Sequence, residues 1–243
     1  CYADSLAQRW GHDAIWRRKG PRRMMSDGTW RNPVKWNREA EQTGRPALVF
    51  CASMADVFEI HPVAEVNAQL DAARARLWAL IGQTPWLTWQ LLTKRPENVA
   101  DLVPWGATWP ENVWMGTSVE DQRRADERIP VLARIPAAVR FLSCEPLLAS
   151  VDLSCGNVRP SFHGPCNGLC DGALIHDVDW LICGGESGSK FRPLDLDHAR
   201  SLRDQCAASG TPYFFKQVGG RTSKAGGRLL DGVLHDEMPE RAR

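Results

Sequence analysis

No apolar run in the sequence approaches the ~20 residues that a membrane-spanning helix needs. No charged n-region leads into an apolar h-region, so a secretory signal is not expected either. Net charge is nearly missing as well: 30 lysines and arginines stand against 29 aspartates and glutamates, a formal +1. A balance this even gives no global field to draw the chain to nucleic acid or to an anionic membrane. Internal repeats and low-complexity tracts are absent, which excludes solenoids and disordered arrays. These absences point to the cytoplasm, with no membrane partner. One local exception to the even charge is basic: Arg17-Arg18-Lys19 and Arg22-Arg23 lie close together near the start.

What is present is ordinary in bulk. The 243 residues are 43% hydrophobic and 24% charged, enough for one α/β domain with a full core and too few for two comfortable ones. Eight cysteines are many for a reducing compartment, where thiols serve as buried small hydrophobes, metal ligands or reactive groups more often than as disulfides. Cys51, Cys144 and Cys183 lie inside apolar runs. Cys155, Cys166 and Cys170 lie in a Gly/Pro-rich loop, with His163 and His176 nearby, and three thiolates plus an imidazole could close a tetrahedral zinc site. Their C-x10-C-x3-C spacing matches no standard zinc knuckle. The eleven tryptophans, among them Trp86, Trp89, Trp105, Trp109 and Trp114, are expected to fill the core and the gaps between helices.

Six short apolar runs recur, at 47–53, 86–93, 113–118, 139–145, 180–185 and 213–217. Runs of this length suit strands buried on both faces, as in a parallel sheet or barrel. Between the first two, Val63, Val66, Leu70, Ala73, Leu77 and Leu80 trace one face of an amphipathic helix. Between the last two, Ala199, Leu202 and Cys206 do the same, with Asp195 or Asp197 as N-cap and Gly210 as the stop. This alternation predicts an α/β fold with mostly parallel strands in a partial (β/α) barrel; an open doubly wound sheet is the alternative. The whole of 1–243 is expected to be a single barrel domain. Two stretches break the rhythm. Residues 11–44 are polar, basic and punctuated by Gly20, Pro21, Gly28 and Pro33, which predicts a long irregular excursion. Residues 147–178 form a cysteine-bearing loop insertion.

Each run ends in a change of chemistry, and in parallel α/β folds ligands sit at the carboxyl ends of strands. The first leads to Ser53 and Asp56, the second to Thr93-Lys94-Arg95, and the third to Thr117, Ser118 and Glu120. The fourth ends at Glu145, the fifth at Glu186 and Ser187, the sixth at Lys216 and Gln217. Six strands delivering polar groups to one rim outweigh any single motif. Within Gly184-Gly185-Glu186-Ser187-Gly188 the glycines allow backbone to approach a ligand, although an ordinary strand-ending turn accounts for them too. Lys94 and Arg95 are suited to a carboxylate or phosphate, or equally to a solvated turn. In Ser143-Cys144-Glu145-Pro146, alternation along a strand sends Cys144 and Glu145 to opposite faces. Glu145 is then the candidate, and Cys144 packs.

The ordered set Cys1-Tyr2-Ala3, Asp56-Val57-Phe58, Leu92-Thr93-Lys94-Arg95-Pro96, Gly116-Thr117-Ser118-Val119-Glu120, Ser143-Cys144-Glu145-Pro146-Leu147, Gly184-Gly185-Glu186-Ser187-Gly188 and Phe215-Lys216-Gln217 resembles the phage-encoded, radical-SAM-like proteins of unassigned function. In that family a Cys-x(7)-Cys-x-x-Cys-Tyr-Ala motif is thought to hold a [4Fe-4S] cluster whose open iron binds S-adenosylmethionine. The resemblance implies a barrel of the radical-SAM type, with Cys1 as the last cluster ligand. It also implies that the first strand and the other two ligands lie before residue 1, so that the chain is N-terminally truncated and inactive as written. By position, Ser53 and Asp56 would hold the methionine amino group. Ser118, Glu120, Glu145 and Glu186 would face ribose or substrate, and Lys94, Arg95 and Lys216 would meet anionic groups. Gly184 and Gly185 would line the cofactor. The reaction implied is cleavage of S-adenosylmethionine to a radical that takes hydrogen from an unknown substrate, with a nucleic-acid base or a peptide as candidates. Two other readings remain: a cluster-free barrel enzyme using Glu145, Glu186 and Lys216 in acid–base chemistry, and a nucleic-acid-binding phage protein using the basic 17–23 segment.

Overall fold

The structure, a computed structural model, describes residues 7–154, 174–222 and 224–240. All six apolar runs are strands: β1 (Ala47–Cys51), β2 (Leu87–Thr93), β3 (Val113–Ser118), β4 (Val139–Cys144), β5 (Trp180–Gly184) and β6 (Tyr213–Gln217). They form one sheet in the order β1-β2-β3-β4-β5-β6, with the β1/β2, β4/β5 and β5/β6 pairs parallel. A doubly wound sheet reverses its order at a switch point. Here the order never reverses, so the sheet is that of a partial (β/α) barrel and the doubly wound alternative falls. β3 and β5 are buried at every residue, as expected of strands covered on both faces, while β1 is only half-buried and β6 exposes Lys216. Among the described residues no helix is long and apolar enough to cross a membrane.

The chain divides into two compact units, essentially residues 1–115 and 116–241, with the boundary inside β3. The first unit holds a helix where an irregular excursion was expected. After a 3-10 turn at Asp13–Trp16, α1 runs over Asp27–Thr43. Ser26 caps it, accepting the Thr29 N–H, and Gly44 closes it in the left-handed conformation at φ 63°. Both signals are ordinary start and stop residues. Hydrophobic periodicity hid the helix, because it buries only Pro33 and Ala40. Asn37, between them on the same face, accepts a hydrogen bond from the Trp86 N–H at 2.9 Å. A polar residue thus occupies a place that the pattern reserves for an apolar one. The next helix, α2 (Ala64–Gln83), buries Leu77, Leu80 and Ile81, which agrees with the face read from the sequence. It is tied to α1 by Arg76, which pairs with Asp27 at 2.8 Å and lies over the Trp30 ring. At its carboxyl end the Asn112 amide donates to the carbonyls of Ile81, Thr84 and Leu87, fastening helix to strand. Trp78, Trp105 and Trp109 stack edge to face at 4.9 and 5.0 Å beside the short helix α3 (Val99–Leu102).

The second unit contains α4 (Gln122–Leu132), β4, β5, α5 (Leu196–Ser209), β6 and a small hairpin of β7 (Leu229–Leu230) and β8 (Val233–Leu234). Asp195 caps α5 by accepting the Asp197 N–H, and Gly210 ends it at φ 75°, the boundaries expected. Ala199, Leu202 and Cys206 are its fully buried face. Gly116 is required by packing, since a Cβ there would lie 2.4 Å from the ring of the buried Phe141.

Candidate functional site

In the first unit the residues after β1 and β2 are drawn together by one carboxylate. Asp56 Oδ1 accepts the Thr93 hydroxyl at 2.8 Å and the Phe58 N–H at 3.0 Å. Its Oδ2 accepts the Lys94 N–H at 3.1 Å and Arg95 Nη1 at 2.9 Å. Four donors on one carboxylate make Asp56 the knot between the two strand ends. Asp56, expected at the methionine amino group, and Lys94 and Arg95, expected at anionic groups, are thus brought together by hydrogen bonds within the chain itself. Ser53 is exposed on the same loop.

Sequence reasoning missed a second knot. Arg22, read as part of a basic patch, turns inward and pairs fork to fork with Glu59 at 2.8 and 2.6 Å. Its Nη1 also donates to the carbonyls of Ile15 and Gly20. The Arg22 guanidinium holds the Glu59 carboxyl below the usual carboxylate range, with burial opposing it. Behind it the buried Arg74 donates to the carbonyls of Val57 and Glu59 and pairs with Asp71. Nothing in composition separates an inward arginine from a solvated one; the available signal was the excess of cations over nearby acids at 17–23.

These side chains border two hollows. One, of about 530 Å³, is lined by Trp16, Arg18, Arg22, Glu59, Ile60, His61, Pro62 and Arg95. The other, of about 420 Å³, is mainly apolar, with Leu70, Ala73, Leu77 and Trp89 in its wall, and shares Trp16, Arg22, Glu59 and Arg95 with the first.

In the second unit every expected carboxylate has its own cation. Glu145, beyond the end of β4, accepts from Lys216 Nζ of β6 at 3.1 Å. Burial pushes the Glu145 carboxyl up, and Lys216 only partly opposes this. Glu186, after β5, is clasped by Arg192, which donates its backbone N–H, Nε and Nη2 at 3.0, 2.8 and 3.0 Å. That clasp brings the Glu186 carboxyl down to about 2. Glu120, after β3, pairs with Arg128 at 2.9 Å, and the same guanidinium donates to the Ser118 carbonyl at 2.7 Å. Glu120 also helps to hold the Arg192 charge, after Glu186. The ends of β3 and β5 are thereby coupled electrostatically.

The glycine motif has a packing explanation. A Cβ on Gly184 would sit 2.7 Å from Glu145 Oε1, and one on Gly185 would sit 1.9 Å from the Val218 carbonyl oxygen. The Gly185 N–H donates to Gln217 O, while Gly188 N–H and Gly220 N–H donate to Gly220 O and Glu186 O. These backbone donors are spent on the chain itself. The glycines let two loops run in contact and let Glu145 lie across β5.

Three of the four described cysteines are packed into the core. Cys144 and Cys183 are register partners on β4 and β5, and both are fully buried, as is Cys206 on α5. Burial pushes the thiols of Cys51, Cys183 and Cys206 up to about 12, and Cys144 well above its ordinary range. A thiolate is the nucleophile, so the fully buried Cys144, Cys183 and Cys206 are not suited to nucleophilic chemistry at neutral pH. The cluster ligand expected at Cys1 and the zinc ligands expected at Cys155, Cys166 and Cys170 lie outside the described residues. Among the described residues no group of three or more His, Cys, Asp or Glu side chains could hold a metal ion.

Fold and site together define an α/β protein with a sequentially ordered sheet, whose strand-end acids are each set against a cation. Comparison with known families adds the family itself. The chain belongs to the family described as Protein of unknown function (DUF5131), whose model matches residues 1–239. No curated protein and no solved structure matches the chain.

Proposed function

We propose that this protein is a radical-SAM-like enzyme, phage-related, acting with a [4Fe-4S] cluster and S-adenosylmethionine on a nucleic-acid base or a peptide. The observation that carries the reading is the ordered motif set: each described member falls at the carboxyl end of a strand, in a sheet whose order is that of a partial barrel. Ligand chemistry belongs at those ends in this class of fold. The described residues alone do not fit the cluster, since among them no group of three or more His, Cys, Asp or Glu side chains could hold a metal ion. Its donors would have to come from outside them, Cys1 among these. When bound, such a cofactor supplies one-electron chemistry, and the protein contributes binding and orientation. On this reading Asp56 fixes the loops after β1 and β2, and Glu120, Glu145 and Glu186 with their cations present hydrogen-bonding groups of defined charge.

A second reading is favoured by one specific feature, the Glu145–Lys216 pair. A carboxyl raised by burial and set 3.1 Å from an ammonium suits general acid–base work without a cluster.

Anaerobic iron–sulfur reconstitution of the protein expressed from its complete reading frame separates the two. About four irons per chain, lost in Cys1→Ala, is the result expected of the radical reading. No iron uptake with all cysteines intact overturns it and leaves the acid–base reading.

A further inference from the structure

Apart from Arg95, which the radical reading also uses, the 530 Å³ hollow of the first unit is lined by residues that neither reading uses. Arg18 is exposed and makes no ion pair among the described residues. Arg95 spends Nη1 on Asp56, and its side chain remains 42% exposed, leaving the other donors of its fork. His61 is 4% exposed, and its Nε2 is buried without any hydrogen-bond partner. The Val63 N–H donates to His61 Nδ1 at 3.1 Å, so Nδ1 is the acceptor and the proton of the neutral ring sits on Nε2. One of the residues lining the hollow thus carries a buried, unsatisfied N–H, an arrangement that costs stability unless a small turn of the ring brings it to an acceptor. Glu59 is the one acid in the lining, and the fork of Arg22 already neutralises it. Arg95 also helps to hold the Glu59 carboxyl below its usual range, after Arg22. Donors in excess of acceptors, with arginine prominent, describe a receptor for a doubly charged oxyanion such as phosphate.

The shape of the lining extends the assignment. Trp16, 40% exposed, borders this hollow and the apolar one, and Arg22, Glu59 and Arg95 are shared as well. A ligand with an anionic head and a flat, weakly polar body would match both compartments, stacking on Trp16 or entering beside Leu70, Ala73 and Leu77.

We propose that the first unit binds a small organic phosphate of the mononucleotide class, its phosphate held by Arg18, Arg95 and His61 and its flat body against Trp16 and the apolar hollow. The site requires no cluster, so its test does not depend on iron.

Calorimetry on the full chain, as isolated and without iron, tests it with adenosine monophosphate, adenosine and inorganic phosphate as separate titrants. Adenosine monophosphate is expected to bind, adenosine at least about tenfold more weakly, and Arg18→Ala to weaken the nucleotide about tenfold, the worth of one charge-assisted hydrogen bond. Arg18 is exposed and makes no ion pair among the described residues, so that variant is expected to stay folded, which circular dichroism would verify. Inorganic phosphate should compete, more weakly than the nucleotide. Failure of the nucleotide to bind at millimolar concentration, equal affinity for adenosine, or indifference to Arg18→Ala would overturn the proposal. Phosphate binding as tightly as the nucleotide would overturn the part assigned to Trp16 and the apolar hollow.

Discussion

At the residue scale, the two best-defined acids titrate in opposite senses, although both belong to strand ends of the same unit. Glu186 is lowered to about 2 by Arg192. A lowered carboxyl contributes stability that is complete above its unfolded value, near 4.3, and is lost as pH falls from there toward 2. Carboxyl NMR titration should find Glu186 still ionised at pH 3, and in Arg192→Ala it should titrate near the ordinary carboxylate value. Glu145 is raised, chiefly by burial. Its contribution is therefore present below the unfolded value and is lost as pH rises through the folded one. Glu145→Gln should leave the melting temperature at pH 7 unchanged or slightly higher, because Lys216 is 54% exposed and can return to water. If the acid–base reading holds, the same substitution abolishes turnover. A large drop in melting temperature would instead make the pair structural.

At the scale of elements, the glycines of β3 and of the loop after β5 are contact points rather than flexible joints. Gly116→Ala should destabilise by about 1–3 kcal/mol through overpacking against Phe141, measured by chemical denaturation. Gly185→Ala should do worse, since its obstacle is the Val218 carbonyl, part of the backbone. What was legible in the sequence follows the same division. The strands announce themselves as short apolar runs, whether covered on both faces like β3 and β5 or half-buried like β1, and all six were found within about two residues of their ends. α5 was legible because its apolar stripe and both caps agree. α1 was not, because its inward face is held by Asn37 through a hydrogen bond instead of by apolar burial. At the site, the identity of Asp56, Glu145, Glu186 and Lys216 as strand-end groups could be read directly. Their partners could not: Arg192 and Arg128 lie outside the apolar runs that guided the reading, and Arg22 looked solvated until Glu59 was found opposite it.

For the whole molecule, the cations are numerous, and several are committed to carboxylates. Arg22, Arg74, Arg128, Arg192, Arg200 and Arg203 all face carboxylates. With a formal charge of +1, little field remains to condense on a duplex. Fluorescence anisotropy with a random DNA duplex at physiological salt should show no saturation below about 100 μM. Tight, steeply salt-dependent binding would revive the basic 17–23 segment as an interface. The sulfur content of the interior has a practical consequence of its own. Cys144, Cys183 and Cys206 are fully buried, and their protons are held far above neutrality. An alkylating reagent can therefore reach them only in the moments when the second unit opens. The slow phase of thiol labelling then works as a clock built into the chain, timing spontaneous opening under native conditions without denaturant or an added probe.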